Sequence, residues 1–385
     1  MTAHVDRRPR PAASARGAAD PGRPRLSFDG ITGWSSEGGD DGADAGGGLL
    51  PLRMPLDRLG TTLSANLARL ARTTAGVRFA VRTDAASIEL EVENGPGGSP
   101  LDVRGDGLLI HRWTGGPGRH RIAFALPGGG ARPAEVEVWL PHLSATRIAA
   151  VSLGGHRSPP VAVDRPGARW VVYGSSIVHC MYAAGPSETW PALVAAERGW
   201  RLRNLGLAGE GYLDPLLART IRDAPADLIT LELGINAYIR GGFTARTWGP
   251  AVCGFVETVR DGHPETPVVV LTSLAAPGRE QAVNSAGMTL VETRTATARA
   301  VRVLQRLGDR TLHLVDGLTP RPRRGRRQGL RRRPPPHARG RVRPRRPDRC
   351  GAREDPAAAR VGPPAPPGSP LPLARGAPTA YQVSQ

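Results

Sequence analysis

The chain has 385 residues, enough for two domains with apolar cores of their own. All 52 basic residues are Arg, and the formal net charge is +18, but residues 321–350 hold fourteen Arg against one acid and the first 25 residues hold six Arg against two Asp. Residues 26–320 are therefore close to neutral, which argues against a body built to bind nucleic acid or an anionic membrane.

The front of the chain contains three segments that differ in composition and hydropathy pattern. Residues 1–25 are rich in Arg, Ala, Pro and Gly and are predicted to be a disordered tail. Residues 36–48 are acidic and Gly-rich and are predicted to form a flexible loop. From about 50 to 160, apolar and polar residues alternate with a period of two, clearest in 77–83, 87–93, 121–126 and 135–140. Gly/Pro turns separate these runs, so 26–165 is predicted to be an antiparallel β-sandwich, jelly-roll-like in form.

The pattern changes again near residue 169. Short, continuously apolar strands are predicted at 170–173, 202–205, 228–233, 268–272 and 312–315, and helices at 189–197, 214–224, 244–261 and 288–308. Strands that alternate with helices and are apolar on both faces indicate a parallel sheet covered by helices on both sides. We therefore predict a three-layer, flavodoxin-like α/β domain over 166–319.

The last segment, 320–385, has no apolar period of two or 3.6 and is dominated by Arg, Pro, Gly and Ala. A segment of that composition buries too little apolar surface to offset the entropy of ordering it, so we predict a disordered tail.

Cysteine spacing and apolar runs give little indication of special chemistry. Cys180, Cys253 and Cys350 follow neither a disulfide nor a metal-ligand spacing. The first 25 residues lack the apolar core of a signal peptide, and no apolar run is as long as a membrane span. We expect a cytoplasmic protein without a membrane partner, and the sequence implies no metal and no organic cofactor.

Three groups suited to acyl transfer follow three successive predicted strands. They are the turn Gly174-Ser-Ser-Ile177, the turn ending at Gly209, and Gly234-Ile-Asn236. Ligand sites of open α/β sheets form at the carboxyl ends of the strands. A serine hydroxyl with backbone and amide donors beside it is what acyl transfer needs. Taken singly, each group is more simply a helix cap or a turn; their order and positions favour a shared site.

These three groups resemble the first three sequence blocks of the GDSL/SGNH hydrolases. Ser175 stands in place of the usual Asp of the first block, and Ala237 in place of the usual Asp that follows the Asn of the third block. The resemblance spans about 168–319, and the predicted sandwich resembles the N-terminal domain of some acetyl-xylan esterases. It implies that Ser176 is the nucleophile. It also implies that the N–H of Ser176, the N–H of Gly209 and the side chain of Asn236 form the oxyanion hole.

The family's general base is a His in an Asp-Xaa-Xaa-His-Pro motif after the fifth strand, and this sequence has no such motif. His337 has Pro334 three residues before it, and Asp316 comes too early to be the partner acid. His179 is expected at the start of a helix beside the pocket and His313 along a strand; neither is favoured as a substitute base.

A change of reading frame near residue 319 would explain the missing block. In a GC-rich gene, reading one base later across 332–342 permits the string Asp-Asp-Leu-His-Pro-Thr, which resembles the family's final block. The abrupt loss of periodicity at the same point favours this interpretation. The Asp/His pair would then be lost from the chain as written, and its activity impaired.

The function predicted from these features is hydrolysis of a small carboxylic ester, with an acetylated carbohydrate as one candidate substrate suggested by the sandwich. An alternative is a non-catalytic glycan-binding relic, with Trp113 and Trp139 as candidate contacts, although core packing is favoured for both. Nucleic-acid binding by the Arg-rich tail is disfavoured, because that tail lacks the aromatic residues that stack on bases.

Overall fold

A computed structural model of the chain describes residues 26–36, 48–127, 132–163 and 165–319. The predicted disorder of 1–25 and 320–385, and most of the acidic loop, lie outside these residues. The elements of the front half are β1 (Ser27–Asp29), β2 (Gly33–Ser35), β3 (Leu50–Leu52), α1 (Ala65–Ala71), β4 (Arg78–Thr83), β5 (Ser87–Asn94), β6 (Pro100–Gly105), β7 (Leu108–Thr114), β8 (Gly118–Ala125), β9 (Ala134–Trp139), β10 (Thr146–Gly154) and β11 (Val161–Ala162).

The front half is a β-sandwich of antiparallel sheets, as predicted. One sheet has the order β1-β4-β9-β6-β7, with β11 also paired to β4, and the other has the order β10-β5-β8. The alternation of the sequence determines which side chains enter the core: in β5, Ile88, Leu90 and Val92 are buried and contact apolar residues of the facing sheet. The four alternating runs all form strands, β4, β5, β8 and β9.

The second half begins with a strand and alternates strands with helices. Its elements are β12 (Arg169–Gly174), α2 (Ser176–His179), α3 (Trp190–Arg198), β13 (Arg201–Gly206), α4 (Pro215–Arg222), β14 (Leu228–Leu233), α5 (Ile235–Arg240), α6 (Trp248–Arg260), β15 (Val268–Thr272), α7 (Leu290–Arg306) and β16 (Leu312–Val315). Each strand range and each helix range expected from the sequence is present. The six-residue helix α5 was not predicted, and α2 ends at His179, where the start of a helix was expected.

The five strands form one parallel sheet in the order β13-β12-β14-β15-β16, the predicted flavodoxin-like arrangement. Alternate residues of β12 face opposite layers. Val171 and Tyr173 join the cluster built with α1, α4, α6 and α7, whereas Trp170 and Val172 join the cluster built with α2 and α3. From β12, the next strand β13 is added on one side of the sheet, and β14, β15 and β16 are added on the other side. The carboxyl ends of β12 and β14 therefore flank the switch point where such folds bind ligands.

The sandwich and the α/β domain share buried contacts. Trp139 of β9 is completely buried against the cluster around Trp170. The Arg78 guanidinium lies 4.7 Å from the centroid of the Trp139 ring. Asp29 of β1 accepts from Arg201 of β13 at 2.9 Å and forms an ion pair with Arg78 at 3.4 Å. These contacts fix the sandwich against the parallel sheet.

One face of the sheet is thinly covered near its β16 edge. Val269 and Leu271 of β15 are half-buried there, and Val315 of β16, which pairs with Leu271, is 42% exposed. Across the sheet, Val268 and Val270 are completely buried under the α6 and α7 layer. Among the described residues, no helix is long and apolar enough to span a bilayer.

Candidate active site

The turn after β12 assigns different tasks to two adjacent serines. Gly174 ends the strand where a Cβ would lie 2.6 Å from Val178 and 2.7 Å from Glu232, so a larger residue would clash. Ser175 is buried, and its Oγ accepts a hydrogen bond from the N–H of Ile177 at 3.1 Å, which caps α2. Ser175 therefore has a structural role as a helix cap, whereas the side chain of Ser176 does not take part in the cap.

Ser176 is the first residue of α2 and lies on the protein surface. It is half-buried and lines a shallow pocket together with Ile177, Cys180, Met181, Tyr182, Ala183 and Glu188. Its Oγ makes no hydrogen bond to any described residue. The hydroxyl is thus accessible from the pocket and not committed to a structural contact.

Gly209 lies in the turn that follows β13. The N–H of Glu210 donates to the carbonyl of Leu207 at 3.0 Å, so Leu207–Glu210 is a β-turn with Gly209 at its third position. Its φ of +77° is the left-handed conformation that glycine adopts without steric cost. A residue with a side chain would be strained at this φ, which explains the glycine. Within the described ranges, the N–H of Gly209 donates to no protein acceptor.

Asn236 lies in the first turn of α5, directly after β14. Its Oδ1 accepts from the N–H of Gly211 at 2.9 Å, which leaves Nδ2 as its outward donor. A Cβ on Gly211 would lie 3.1 Å from this Oδ1 and 3.1 Å from the carbonyl carbon of Gly174. The structure therefore brings together the ends of β12 and β14 and the loop that contains Gly209.

Three hydrogen-bond donors remain unused where these strand ends meet. They are the N–H groups of Ser176 and Gly209 and the Nδ2 of Asn236, none of which donates to a described residue. Donors held in place by backbone geometry and aimed at one region are suited to stabilising a negative oxygen. The Ser176 hydroxyl and these donors follow neighbouring strands at the carboxyl end of the sheet, and of the three residues Ser176 alone lines the described pocket.

A buried carboxyl group that was not predicted from the sequence lies directly beneath the turn that contains Ser176. Glu232 of β14 is 2% exposed, and its Oε2 accepts from the N–H of Ser175 at 2.8 Å. Its Oε1 is buried without a partner among the described residues. Burial raises the pKa of Glu232 and outweighs the stabilising hydrogen bonds from Ser175.

His179 is not where the sequence placed it. It is the last residue of α2 rather than an early one, and its side chain is buried at the contact with the sandwich, where Nε2 lies 2.7 Å from the carbonyl oxygen of His142. Burial lowers the pKa of His179 to about 3. His179 is buried against the sandwich and does not line the pocket, so it is no substitute base.

The described residues supply no other histidine to the pocket. None of its lining residues is His, and His313 is exposed on the edge strand β16. Asp316, just after that strand, accepts from the N–H of Leu318 at 3.0 Å and closes a turn. His337 and the segment expected to hold the Asp/His block lie outside the described residues.

The sandwich holds one side of the pocket rim in place. Asp102 of β6 is completely buried and accepts from Arg112 of β7 at 2.7 and 3.0 Å. The same carboxylate accepts from the N–H of Ser187 at 3.1 Å and from its Oγ at 2.7 Å. Arg112 also donates to Glu188, a pocket residue, at 2.8 Å. The short 3-10 turn beside Ser176 is therefore held by two sandwich strands.

A second buried side chain, Arg53, connects the front of the chain to β13, the strand that precedes the Gly209 turn. Arg53 is completely buried, and its Nη1 donates to the carbonyls of Asn204 and Gly206, each at 2.9 Å. Its Nη2 donates to the carbonyl of Leu70. Burial without an acidic partner lowers the pKa of Arg53 to about 9.

The two tryptophans considered for glycan contact have structural roles. Trp139 is 0% exposed, so the core-packing interpretation is confirmed for it. Trp113 is half-buried against the sandwich core and lies edge-on to His120, with centroids 4.9 Å apart.

Comparisons with known proteins agree with the geometry. The salicylyl-acyltransferase SsfX3 from a tetracycline biosynthetic pathway is 30% identical over 77% of this chain and 84% of its own, with a TM-score of 0.67. A GDSL-like lipase from Bacteroides ovatus is 20% identical over 76% and 84%, with a TM-score of 0.58. A family two carbohydrate esterase from Clostridium thermocellum is 12% identical over 76% and 88%, with a TM-score of 0.56.

The last two similarities concern the fold alone. Among curated proteins, none matches the chain in sequence. The sequence profile of the GDSL-like lipase/acylhydrolase family matches residues 168–319, the segment that contains all three strand-end groups. With the identity to SsfX3, this shows that the chain belongs to the GDSL-like lipase/acylhydrolase family, whose general chemistry is the hydrolysis of esters.

Proposed function

We propose that the chain acts on a small carboxylic ester through Ser176, with Gly209 and Asn236 as its oxyanion partners. The observation that supports this most strongly is the meeting of an accessible, unbonded hydroxyl with three unused donors at successive strand ends. Asn236 is held in place by Gly211 at 2.9 Å, so its amide needs little reorganisation to donate.

In the proposed reaction the Ser176 Oγ forms a bond to the acyl carbonyl carbon. The carbonyl oxygen takes the electron pair and accepts from the N–H of Ser176, the N–H of Gly209 and Asn236 Nδ2. The serine proton passes to a base and then to the departing alcohol, and water releases the acyl group in a second addition. Removal of one such donor typically costs about 10²–10³ in kcat.

The base belongs to the Asp-Xaa-Xaa-His block that the family resemblance implies. No histidine of the described pocket takes this role. We propose that the block is lost through a change of reading frame near residue 319, so that the chain as written retains the nucleophile and the oxyanion donors without the base. A serine site without its base keeps only a small residual activity.

The pocket supports a small acyl group and a polar alcohol. It is shallow, with Met181 beside the serine and Glu188 and the 92% exposed Tyr182 on its rim. A carboxylate and an exposed aromatic ring suit the hydroxyl groups and the apolar face of a sugar. An acetylated carbohydrate is therefore the proposed substrate class.

Acyl transfer to an alcohol is the second candidate, supported by the 30% identity with a salicylyl-acyltransferase. The two reactions share the acyl-enzyme and differ in the acceptor. Product analysis with an added alcohol distinguishes them, because a transferase forms a new ester where a hydrolase releases the free acid. The glycan-binding alternative loses support, since Trp139 is inaccessible and Trp113 contacts the core.

The proposed nucleophile is tested by covalent labelling with a fluorophosphonate and peptide mass spectrometry. We expect the adduct on the peptide that contains Ser176, its loss in Ser176→Ala, and its retention in Ser152→Ala, an exposed serine of β10. An adduct that persists unchanged in Ser176→Ala would contradict the assignment.

A further inference from the structure

A second cleft lies at the amino ends of the parallel strands, whereas Ser176 lies at their carboxyl ends. It has a volume of about 960 Å³ and is formed by the starts of β12 and β13, the end of α4, and the segment that follows β1. Its apolar lining includes Phe28, Ile31 and Trp170. Because it lies at the amino ends of the strands, it is separate from the ester site at their carboxyl ends.

The charges that line this cleft are unbalanced. Six arginines face three aspartates; the arginines are Arg58, Arg169, Arg201, Arg203, Arg219 and Arg222, and the acids are Asp29, Asp57 and Asp223. Ion pairs with carboxylates are formed by Arg169, Arg201 and Arg222. For Arg58, Arg203 and Arg219, no carboxylate partner occurs among the described residues. Asp57 is the one lining acid outside these ion pairs, so the cleft keeps an excess of two positive charges among the described residues.

Arg203 is the most informative of the three. It is half-buried, and its Nε donates to the backbone carbonyl of Arg53 at 3.0 Å, while neither terminal nitrogen has a partner in the described part of the chain. Burial lowers its pKa to about 10. A cation removed from water without a counter-ion is costly, and a bound anion would offset that cost.

An unpaired hydroxyl lies in the same wall. Thr220 of α4 is 5% exposed, and its Oγ1 is buried with no hydrogen-bond partner among the described residues. It lines the cleft next to the exposed Arg219. A buried polar atom without a partner destabilises the fold, and a ligand or water in the cleft that reached it would offset that cost.

We propose that this cleft binds a small organic oxyanion, in which a phosphate or sulfate group contacts Arg203 and Arg219 and an apolar body lies against Phe28 and Ile31. Guanidinium groups bind tetrahedral oxyanions through paired N–H donors, which a single ammonium group does not match. The proposal is independent of Ser176 and therefore of the proposed ester chemistry.

The test is calorimetric titration of the full chain with phenyl phosphate, phenyl sulfate and neutral benzyl alcohol at low salt. The double variant Arg203→Met/Arg219→Met is compared with Arg246→Met/Arg302→Met, in which two exposed arginines outside the cleft are replaced. We expect at least tenfold weaker binding of phenyl phosphate in the cleft variant and unchanged binding in the other. Benzyl alcohol should bind at least tenfold more weakly than either anion.

Both double variants keep the Arg-rich ends of the chain, so nonspecific binding of anions there is common to them. Equal affinity for phenyl phosphate in the two double variants would overturn the proposal. The single variant Arg219→Met, at an exposed position, covers the case in which the double variant unfolds; it should weaken binding at least threefold, and no change would also overturn the proposal. At about pH 5, where both ligands carry close to one negative charge, tighter binding of phenyl phosphate than of phenyl sulfate identifies a phosphorylated ligand, and the reverse order a sulfated one.

Discussion

Ser175 and Ser176 are neighbours with opposite consequences for the molecule. The first is buried and caps α2, and the second is accessible and makes no hydrogen bond to a described residue. The residue that occupies the usual Asp position here therefore has a structural task that Ser performs as well as Asp.

Alanine substitution should separate these tasks. Ser175→Ala should lower the free energy of unfolding by about 1 kcal/mol, since it removes an N-cap hydrogen bond. Ser176→Ala should change it by less than about 0.5 kcal/mol, because no described contact is lost. Urea unfolding of both variants measures the difference; equal losses of stability would show that the capping assignment is wrong.

Glu232 should make stability depend on pH. Its pKa is raised by burial, so the folded state binds the proton more tightly than the unfolded state. Its contribution is therefore fully present below the ordinary value of 4.5 and is lost as the pH rises through the raised pKa. Glu232→Gln keeps an oxygen that can accept from Ser175 but does not titrate.

Urea unfolding from pH 4 to pH 9 tests this assignment. The parent should lose more stability than Glu232→Gln over the range. Asp214, whose pKa burial raises to about 6, titrates in both proteins and cancels in the comparison. Curves that stay parallel for the parent and the variant would contradict the buried-carboxyl account.

At the scale of elements, strands with a regular pattern were predicted from the sequence, whereas irregular or very short elements were missed. The alternating run 87–93 and the apolar run 228–233 gave β5 and β14 within one residue of their observed ends. β10 was missed because a bulge between Ile148 and Ala150 breaks its alternation. α5 has only six residues, too few to show a period of 3.6.

The candidate site was predictable to a similar degree. Ser176, Gly209 and Asn236 were predicted because each directly follows a strand or its turn, and the order of strands brings such positions together; their roles stay a prediction. Asp102 and Arg53 were missed, since their partners lie 85 residues away at Ser187 and 151 residues away at Asn204. A contact of that separation leaves no local pattern in the sequence.

The network around Asp102 should couple the sandwich to the pocket. Arg112→Leu would leave a completely buried carboxylate without its cation, and should lower the free energy of unfolding by about 3 kcal/mol. As a matched control, Arg132→Leu removes an exposed pair with Asp106 and should cost less than about 1 kcal/mol. Thermal or urea unfolding measures both, and similar losses would contradict the structural role of the network.

At the scale of the whole molecule, the sheet is covered unevenly. Val269 and Leu271 are half-buried, and Val315 is 42% exposed on the same face, whereas the opposite face is sealed by α6 and α7. Apolar surface at the edge of a sheet favours further chain packed on it. We predict that a chain re-read one base later from residue 320 is more stable than the chain as written, with denaturant unfolding as the measurement.

We propose Ser176 as the nucleophile of an ester-processing site whose base is lost from the chain as written. Turnover of p-nitrophenyl acetate by the written chain and by the re-read chain, each with and without Ser176→Ala, tests it most directly. The account predicts negligible turnover by the written chain. In the re-read chain it predicts turnover that falls at least about a thousandfold in Ser176→Ala and is unchanged in Ser152→Ala. Turnover that survives Ser176→Ala would contradict it.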